Sequence, residues 1–211
     1  MNYDLIHSVP SGLNPLGDRE LSLRNLKITE IENLILSKNQ FDTIDLTSND
    51  LKKLENFPLL TRLKTLLVSN NNISKVDPSL GLKLPSLKTL VLTNNDLKEL
   101  GDIQLSHFKN LQVLVLLGNP LSKLLHYREY MINNLESLNV LDYIKVTPEE
   151  RKVAYILFKS SSLQNEIVKT SVEKSGPSKE TIEKLKLALS QAKSLEEITL
   201  LERQLQLETG R

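Results

Sequence analysis

Apolar residues return in a fixed rhythm over much of the chain. In LKTLLVSNNNI, Leu63, Leu66, Val68 and Ile73 are apolar, and Asn71 stands between the last two. The same spacing recurs in FDTIDLTSNDL (Phe41 to Leu51, Asn49), LKTLVLTNNDL (Leu87 to Leu97, Asn95) and LQVLVLLGNPL (Leu111 to Leu121, Asn119). The asparagines at 49, 71, 95 and 119 are thus 22, 24 and 24 residues apart. A degenerate first copy, RELSLRNLKI, keeps Leu21, Leu23 and Ile28 but has Leu26 in place of the asparagine. A truncated last copy, LNVLDY, offers Leu138, Leu141 and Tyr143. Alternation inside each copy predicts a short strand of about three residues. Ile44 and Leu46, Leu66 and Val68, Leu90 and Leu92, and Leu114 and Leu116 then face a core.

This is the leucine-rich repeat, L-x-x-L-x-L-x-x-N-x-L. The fold class that follows is α/β: a solenoid or horseshoe with a parallel concave sheet. No repeat can bury its own apolar face, so each depends on its neighbours. Asn49, Asn71, Asn95 and Asn119 are expected to form a structural ladder, their amides bonding backbone groups in the turn after each strand, since an unsatisfied buried polar group costs roughly 1–3 kcal/mol. A second apolar column (Ile31, Leu54, Val76, Leu100, Leu124) and a third (Leu60, Leu84, Phe108, Leu138) belong to the convex return segments. Pro58, Pro78 and Pro85 there argue for short helical turns and loops.

Four segments are expected. Residues 1–17, with Leu5, Ile6 and Val9 before a Pro/Gly-rich stretch, read as a short helix or turn and then a loop, capping the solenoid. Residues 18–170 hold the repeats and a C-terminal cap. In the cap, Thr147-Pro148-Glu149-Glu150 reads as a helix start with a capping box, and Val153, Ile156 and Leu157 as one helix face. Residues 171–181 are a polar linker. Residues 182–211 read as an amphipathic tail, with Ile182, Leu185, Leu189 and Ala192 and then Leu195, Ile198, Leu201 and Leu205 at helical spacing. It either packs on itself as a hairpin or orders on a partner.

Residues alternating with the leucines face the concave side. They are Glu20, Ser22 and Arg24; Thr43, Asp45 and Thr47; Thr65, Leu67 and Ser69; Thr89, Val91 and Thr93; and Val113, Val115 and Leu117. The wall starts polar and turns apolar. Leu67, Val91, Val113, Val115 and Leu117 are expected to form a contiguous exposed patch. Branched residues suit strands in any case, but exposed contiguous apolar surface marks an interaction site. A groove of this kind suits a helix of another protein.

Composition adds little beyond exclusions. The 211 residues carry 27 Lys+Arg against 26 Asp+Glu, net charge +1, which is no strongly basic nucleic-acid binder. There is no cysteine, so neither disulfide nor thiolate chemistry arises. The N-terminus has no signal-peptide pattern, and no stretch approaches the ~18–20 apolar residues of a membrane span. A soluble intracellular protein is expected, with no membrane partner. His7, His107 and His126 lie on different elements without metal-ligand spacing, and no phosphate-binding or nucleophile-elbow motif occurs. No enzyme, no metal and no cofactor are therefore expected. Lys53, Lys75 and Lys123 recur at one repeat position, as a solvated edge or as RNA-phosphate contacts.

The runs DRELSLRNLKI, QFDTIDLTSNDLKKLENFPLLTRLKTLLVSNNNI, LVLTNNDLKELGDI, GNPLSKLLHYREYMI and VLDYIKV resemble the A-prime protein family of the spliceosomal U2 snRNP. The resemblance covers about residues 18–160, and GPSKETIEKLKLALSQAKSLEEITLLERQL resembles that family's C-terminal segment. The first 17 residues differ freely and the linker is short. The resemblance implies a nuclear pre-mRNA splicing factor. It would embrace a helix of the B-double-prime protein, an RNA-recognition-motif partner, in its concave face. The pair would hold a U2 snRNA stem-loop, which the partner alone binds less well. Arg24 and Asp45 would give polar register, and other spliceosomal proteins would meet the tail. The competing reading is a leucine-rich-repeat scaffold or regulator of another intracellular protein, such as a phosphatase regulator.

Overall fold

The computed structural model describes residues 11–31, 39–105 and 107–159. The linker at 171–181, the tail at 182–211 and the Leu5, Ile6, Val9 cluster lie outside the described residues.

The four full repeats give strands of three residues each: β3 (Thr43–Asp45), β5 (Thr65–Leu67), β7 (Thr89–Val91) and β8 (Val113–Val115). With β1 (Ser11–Leu13), β2 (Arg19–Ser22), β9 (Val140–Leu141) and β10 (Ile144–Lys145) they make an eight-stranded sheet, in the order β1-β2-β3-β5-β7-β8-β9-β10. From β2 to β9 every pairing is parallel. Register follows the repeat without slip. Ile44 pairs with Leu66, Leu66 with Leu90 and Leu90 with Leu114. All four are fully buried, as are Leu46, Val68, Leu92 and Leu116. Both expected convex columns pack in or against the same core.

Each asparagine of the ladder staples two repeats. Asn95 Nδ2 donates to Val68 O in the preceding repeat and Leu92 O in its own, at 3.0 and 2.9 Å, while its Oδ1 accepts from Ile73 N at 3.0 Å. Asn49, Asn71 and Asn119 repeat the scheme. All four are buried.

The residue before each ladder position forms a column that the apolar spacing did not reveal. Asn25, Ser48, Asn70, Asn94 and Gly118 all have positive φ, between 54° and 77°. Here the chain leaves the sheet, and asparagine and glycine tolerate the left-handed region best. The N–H groups of Asn25, Ser48, Asn70 and Asn94 each donate to the next repeat, extending the ladder past the strands. At Gly118 a Cβ would also lie 2.1 Å from Asn94 Oδ1, so the Asn94 side chain would have to shift to admit one.

On the convex side, β4 (Lys53–Leu54) and β6 (Lys75–Val76) form a small parallel pair. The other return segments are a one-turn helix, α1 (Leu80–Lys83), and two 3₁₀ turns at Leu100–Asp102 and Pro120–Lys123.

Both ends depart from the sequence reading. Residues 11–17, expected as a loop, begin with a strand: β1 pairs antiparallel with β2 as a hairpin whose turn is closed by Asn14, which accepts from the Leu16 and Asp18 N–H groups through Oδ1. At the other end, Tyr143 does not fill the third core position of the truncated repeat and is 69% exposed. Asp142 and Tyr143 both have positive φ, and the chain reverses into β10, antiparallel to β9. In earlier repeats the N–H of Leu46, Val68 or Leu92 donates to the next repeat's carbonyl. Leu116 has no such neighbour, and donates to Asp142 Oδ1 at 2.7 Å instead. The buried Tyr127 hydroxyl holds the other oxygen at 2.9 Å. Burial, then the Asp142 carboxylate, pushes the phenol's pKa up and keeps it a donor.

The cap helices are α2 (Tyr127–Asn134) and α3 (Pro148–Lys159). The capping box forms: Glu150 N donates to Thr147 Oγ1 and Thr147 N to Glu150 Oε2. Glu150 also receives the Arg128 guanidinium at 2.7 Å, tying the two helices together. The buried face of α3 is Ala154 and Phe158, and not Val153, Ile156 and Leu157; Ile156 is 49% exposed. Ala154 brings α3 close to the core, and Phe158 meets Tyr130 edge to face at 5.8 Å. A small residue and an aromatic won the face that periodicity assigned to aliphatic residues.

A polar clamp joins the early strands. Asp42 is buried and accepts from Arg62 Nε and Nη2 at 3.1 and 3.0 Å and from Arg19 N at 3.1 Å, with Lys64 Nζ at 3.1 Å. The bonds from Arg62, helped by Arg19 N–H and Lys64 and opposed by burial, hold its pKa down at about 2. A depressed carboxylate stabilises the fold above its unfolded value, and loses that stabilisation as pH falls through the folded one. Asp42→Asn is therefore expected to cost about 1–3 kcal/mol at neutral pH. In urea unfolding followed against pH, the gap from wild type should stay flat above the ordinary carboxylate range and close as pH falls towards about 2. A gap that does not change with pH would show that the clamp is not electrostatic.

Candidate partner-binding face

The register turns the concave side chains into three rows. One rim carries Glu20, Thr43, Thr65, Thr89 and Val113; the middle carries Ser22, Asp45, Leu67, Val91 and Val115. Past the strands, the continuing backbone ladder sets Arg24, Thr47, Ser69, Thr93 and Leu117 along the other rim. All the sequence-derived concave residues therefore share one wall, polar at the β2 end and apolar at the β8 end.

Exposure divides them. Leu117 is 41% exposed, and Leu67, Val91 and Val113 are partly exposed. Val115 is a correction: it belongs to the wall and lies outside the core cluster, yet has no exposed surface. Asp142 N donates to Leu114 O on one side of Val115, and Leu116 N donates to Asp142 Oδ1 on the other, so the end-capping residue stands beside it where the next strand would otherwise continue. The apolar patch is thus Leu67, Val91, Val113 and Leu117.

Thr43, Asp45 and Thr47 are also buried, against their assignment to an open surface. Thr43 lies between Glu20 and Thr65 in register. Asp45 has both oxygens engaged: Thr47 N donates to Oδ1 at 2.8 Å, and Arg24 Nη1 to Oδ2 at 3.2 Å. Arg24 itself stays more than half exposed, so the buried carboxylate orients a cation that faces the groove. Glu20 Oε2 accepts from Asn14 Nδ2 at 3.2 Å.

Lys53 and Lys75 are brought together, but on the convex β4–β6 pair and not on this wall. Both are exposed, and Lys53 lies 3.9 Å from Glu55. Lys123 is exposed in the 3₁₀ turn at Pro120–Lys123 and does not join that pair. Among the described residues, no cluster of three or more His, Asp or Glu could hold a metal ion. The wall offers area, shape and one oriented charge, which is the chemistry of recognition.

A leucine-rich-repeat family model matches residues 1–171. The chain is 43% identical over 222 residues to the U2 small nuclear ribonucleoprotein A′ of Arabidopsis thaliana, covering 97% of this chain and 89% of the relative. It is 41% identical to the human protein of that name, covering 98% and 87%. Among solved structures it is similar to a chain in the crystal structure of the Drosophila melanogaster SNF/U2A′ complex, with TM-score 0.75, 41% identity and coverage of 79% of this chain and 97% of that one.

Proposed function

The chain belongs to the U2 small nuclear ribonucleoprotein A′ family, and on that footing we propose that it is a non-catalytic, nuclear subunit of the U2 particle in pre-mRNA splicing. Its work is to hold an RNA-recognition-motif protein of the B-double-prime type by laying one of that protein's helices across the concave wall. The pair then binds a U2 snRNA stem-loop. The observation that carries this reading is the apolar patch of Leu67, Val91, Val113 and Leu117 on a wall whose backbone is fixed by two hydrogen-bonded ladders. Rigid presentation keeps the ordering cost of association low. That a Drosophila relative was crystallised as a SNF/U2A′ complex supports a protein partner.

RNA contact through Lys53 and Lys75 would come from the convex side, away from the held helix; Lys123 would add to it from its turn. The tail at 182–211 would meet other spliceosomal proteins.

The test is capture from nuclear extract with RNA sequencing of what is retained. The wild-type chain should recover an RNA-recognition-motif protein together with U2 snRNA. A Leu67→Asp, Leu117→Asp double variant should lose both by about 100-fold or more, the range of central interface residues, while its urea midpoint stays close to wild type. Undiminished recovery by that variant would overturn the concave assignment.

A further inference from the structure

The wall's charge and its strand spacing together define the helix it accepts. This rests on the groove reading above. Among the described concave positions Arg24 is the one cation, and it is held by a buried partner. Asp45 Oδ2 takes Nη1 at 3.2 Å, which leaves Nε and Nη2 available to an incoming acceptor on a side chain more than half exposed. Glu20, on β2, is the wall's other partly exposed charge, half-buried towards the opposite rim, where Asn14 holds it. Arg24 therefore asks for a carboxylate on one flank of the incoming helix.

Distance along the helix follows from the sheet. Leu67 lies two strands from Arg24, and Leu117 two strands beyond Leu67. Two strand spacings are about 9.6 Å, close to the about 10.5 Å that seven helical residues rise, so a helix laid across the strands keeps pace with Leu67 in the middle row and with Arg24 and Leu117 along one rim. We infer that the partner is an amphipathic helix with an acidic residue two turns from the end of an apolar stripe that is itself two turns long, and that Arg24, oriented by Asp45, selects that acid. Val91, one strand beyond Leu67, takes the apolar residue in the middle of the stripe.

The probe is a set of helix-stabilised synthetic peptides sharing one two-turn leucine stripe, measured by fluorescence anisotropy against the full chain. A single glutamate is placed one, two or three turns from the stripe, on its N-terminal or its C-terminal side. On one of those sides the two-turn peptide should bind about tenfold more tightly than the others, with the gain shrinking in high salt. Arg24→Gln should abolish the preference while leaving the stripe's own affinity. Arg24→Glu should transfer the preference to a lysine at the same place. A preference for one or three turns, or none, overturns the inference even where Leu67→Asp still abolishes binding. Binding that survives Leu67→Asp with Leu117→Asp overturns the groove reading instead.

Discussion

Leu90→Ala should destabilise the protein by about 2–5 kcal/mol. Leu90 has no exposed surface and sits in register between Leu66 and Leu114, both also fully buried. Loss of three carbons, Cγ and its two methyls, leaves a space that neighbours on both sides can fill only by moving their strands. Those strands are held by the backbone ladder and by Asn71, Asn95 and Asn119, so little collapse is available. In a solenoid each repeat touches only its neighbours. The loss therefore weakens two interfaces at once, and amide exchange should rise in the repeats carrying Leu66 and Leu114 as well as in the mutated one. Urea unfolding followed by far-ultraviolet circular dichroism measures the first effect. Val91→Ala is the internal control. Its side chain faces the groove and is only partly covered, so its cost should stay within about 1 kcal/mol. Equal losses at Leu90 and Val91 would mean that the strand alternation is misassigned.

The fold was legible because the repeat supplies its own register. Four copies with leucines and an asparagine at fixed offsets determine which side chains meet, and Leu66 against Leu90 needs no further information. What the spacing does not carry is whatever happens once. The N-terminal hairpin depends on Asn14 closing a turn. The end of the sheet depends on Asp142, an acid in a sequence that otherwise reads as one more repeat. Alternation puts Val115 on the open wall, correctly for its direction, but is silent on how far the end of the sheet buries it. Likewise Ala154 and Phe158 took the buried face of α3 because Ala154 permits close approach, a matter of fit that helical periodicity does not encode. The positive-φ column was present in the sequence as Asn25, Ser48, Asn70, Asn94 and Gly118, but it shows only when backbone demand is considered beside hydrophobic spacing.

Adjacent asparagines in one turn should then respond in opposite ways to the same change. Asn95→Gly removes four side-chain bonds: one accepted from Ile73 N, two donated to Val68 O and Leu92 O in a buried setting, and a longer one donated to Thr93 O at 3.3 Å. Each stranded backbone group loses the partner it was buried with. At about 1–3 kcal/mol per unsatisfied buried group, less what relaxation recovers, the total should be about 3–5 kcal/mol. Asn94→Gly should cost no more than about 1 kcal/mol, because glycine adopts its φ of 54° freely and the exposed bond to Asn70 Oδ1 is the chief loss. Alanine sharpens the contrast. Asn95→Ala should resemble Asn95→Gly, since both delete the amide; Asn94→Ala should be worse than Asn94→Gly by about 1–2 kcal/mol, since a Cβ is disfavoured in the left-handed region. Thermal or urea unfolding of the four variants reads this directly. If glycine is tolerated at 95 and not at 94, the asparagine ladder holds nothing together and the turn geometry alone sets the repeat.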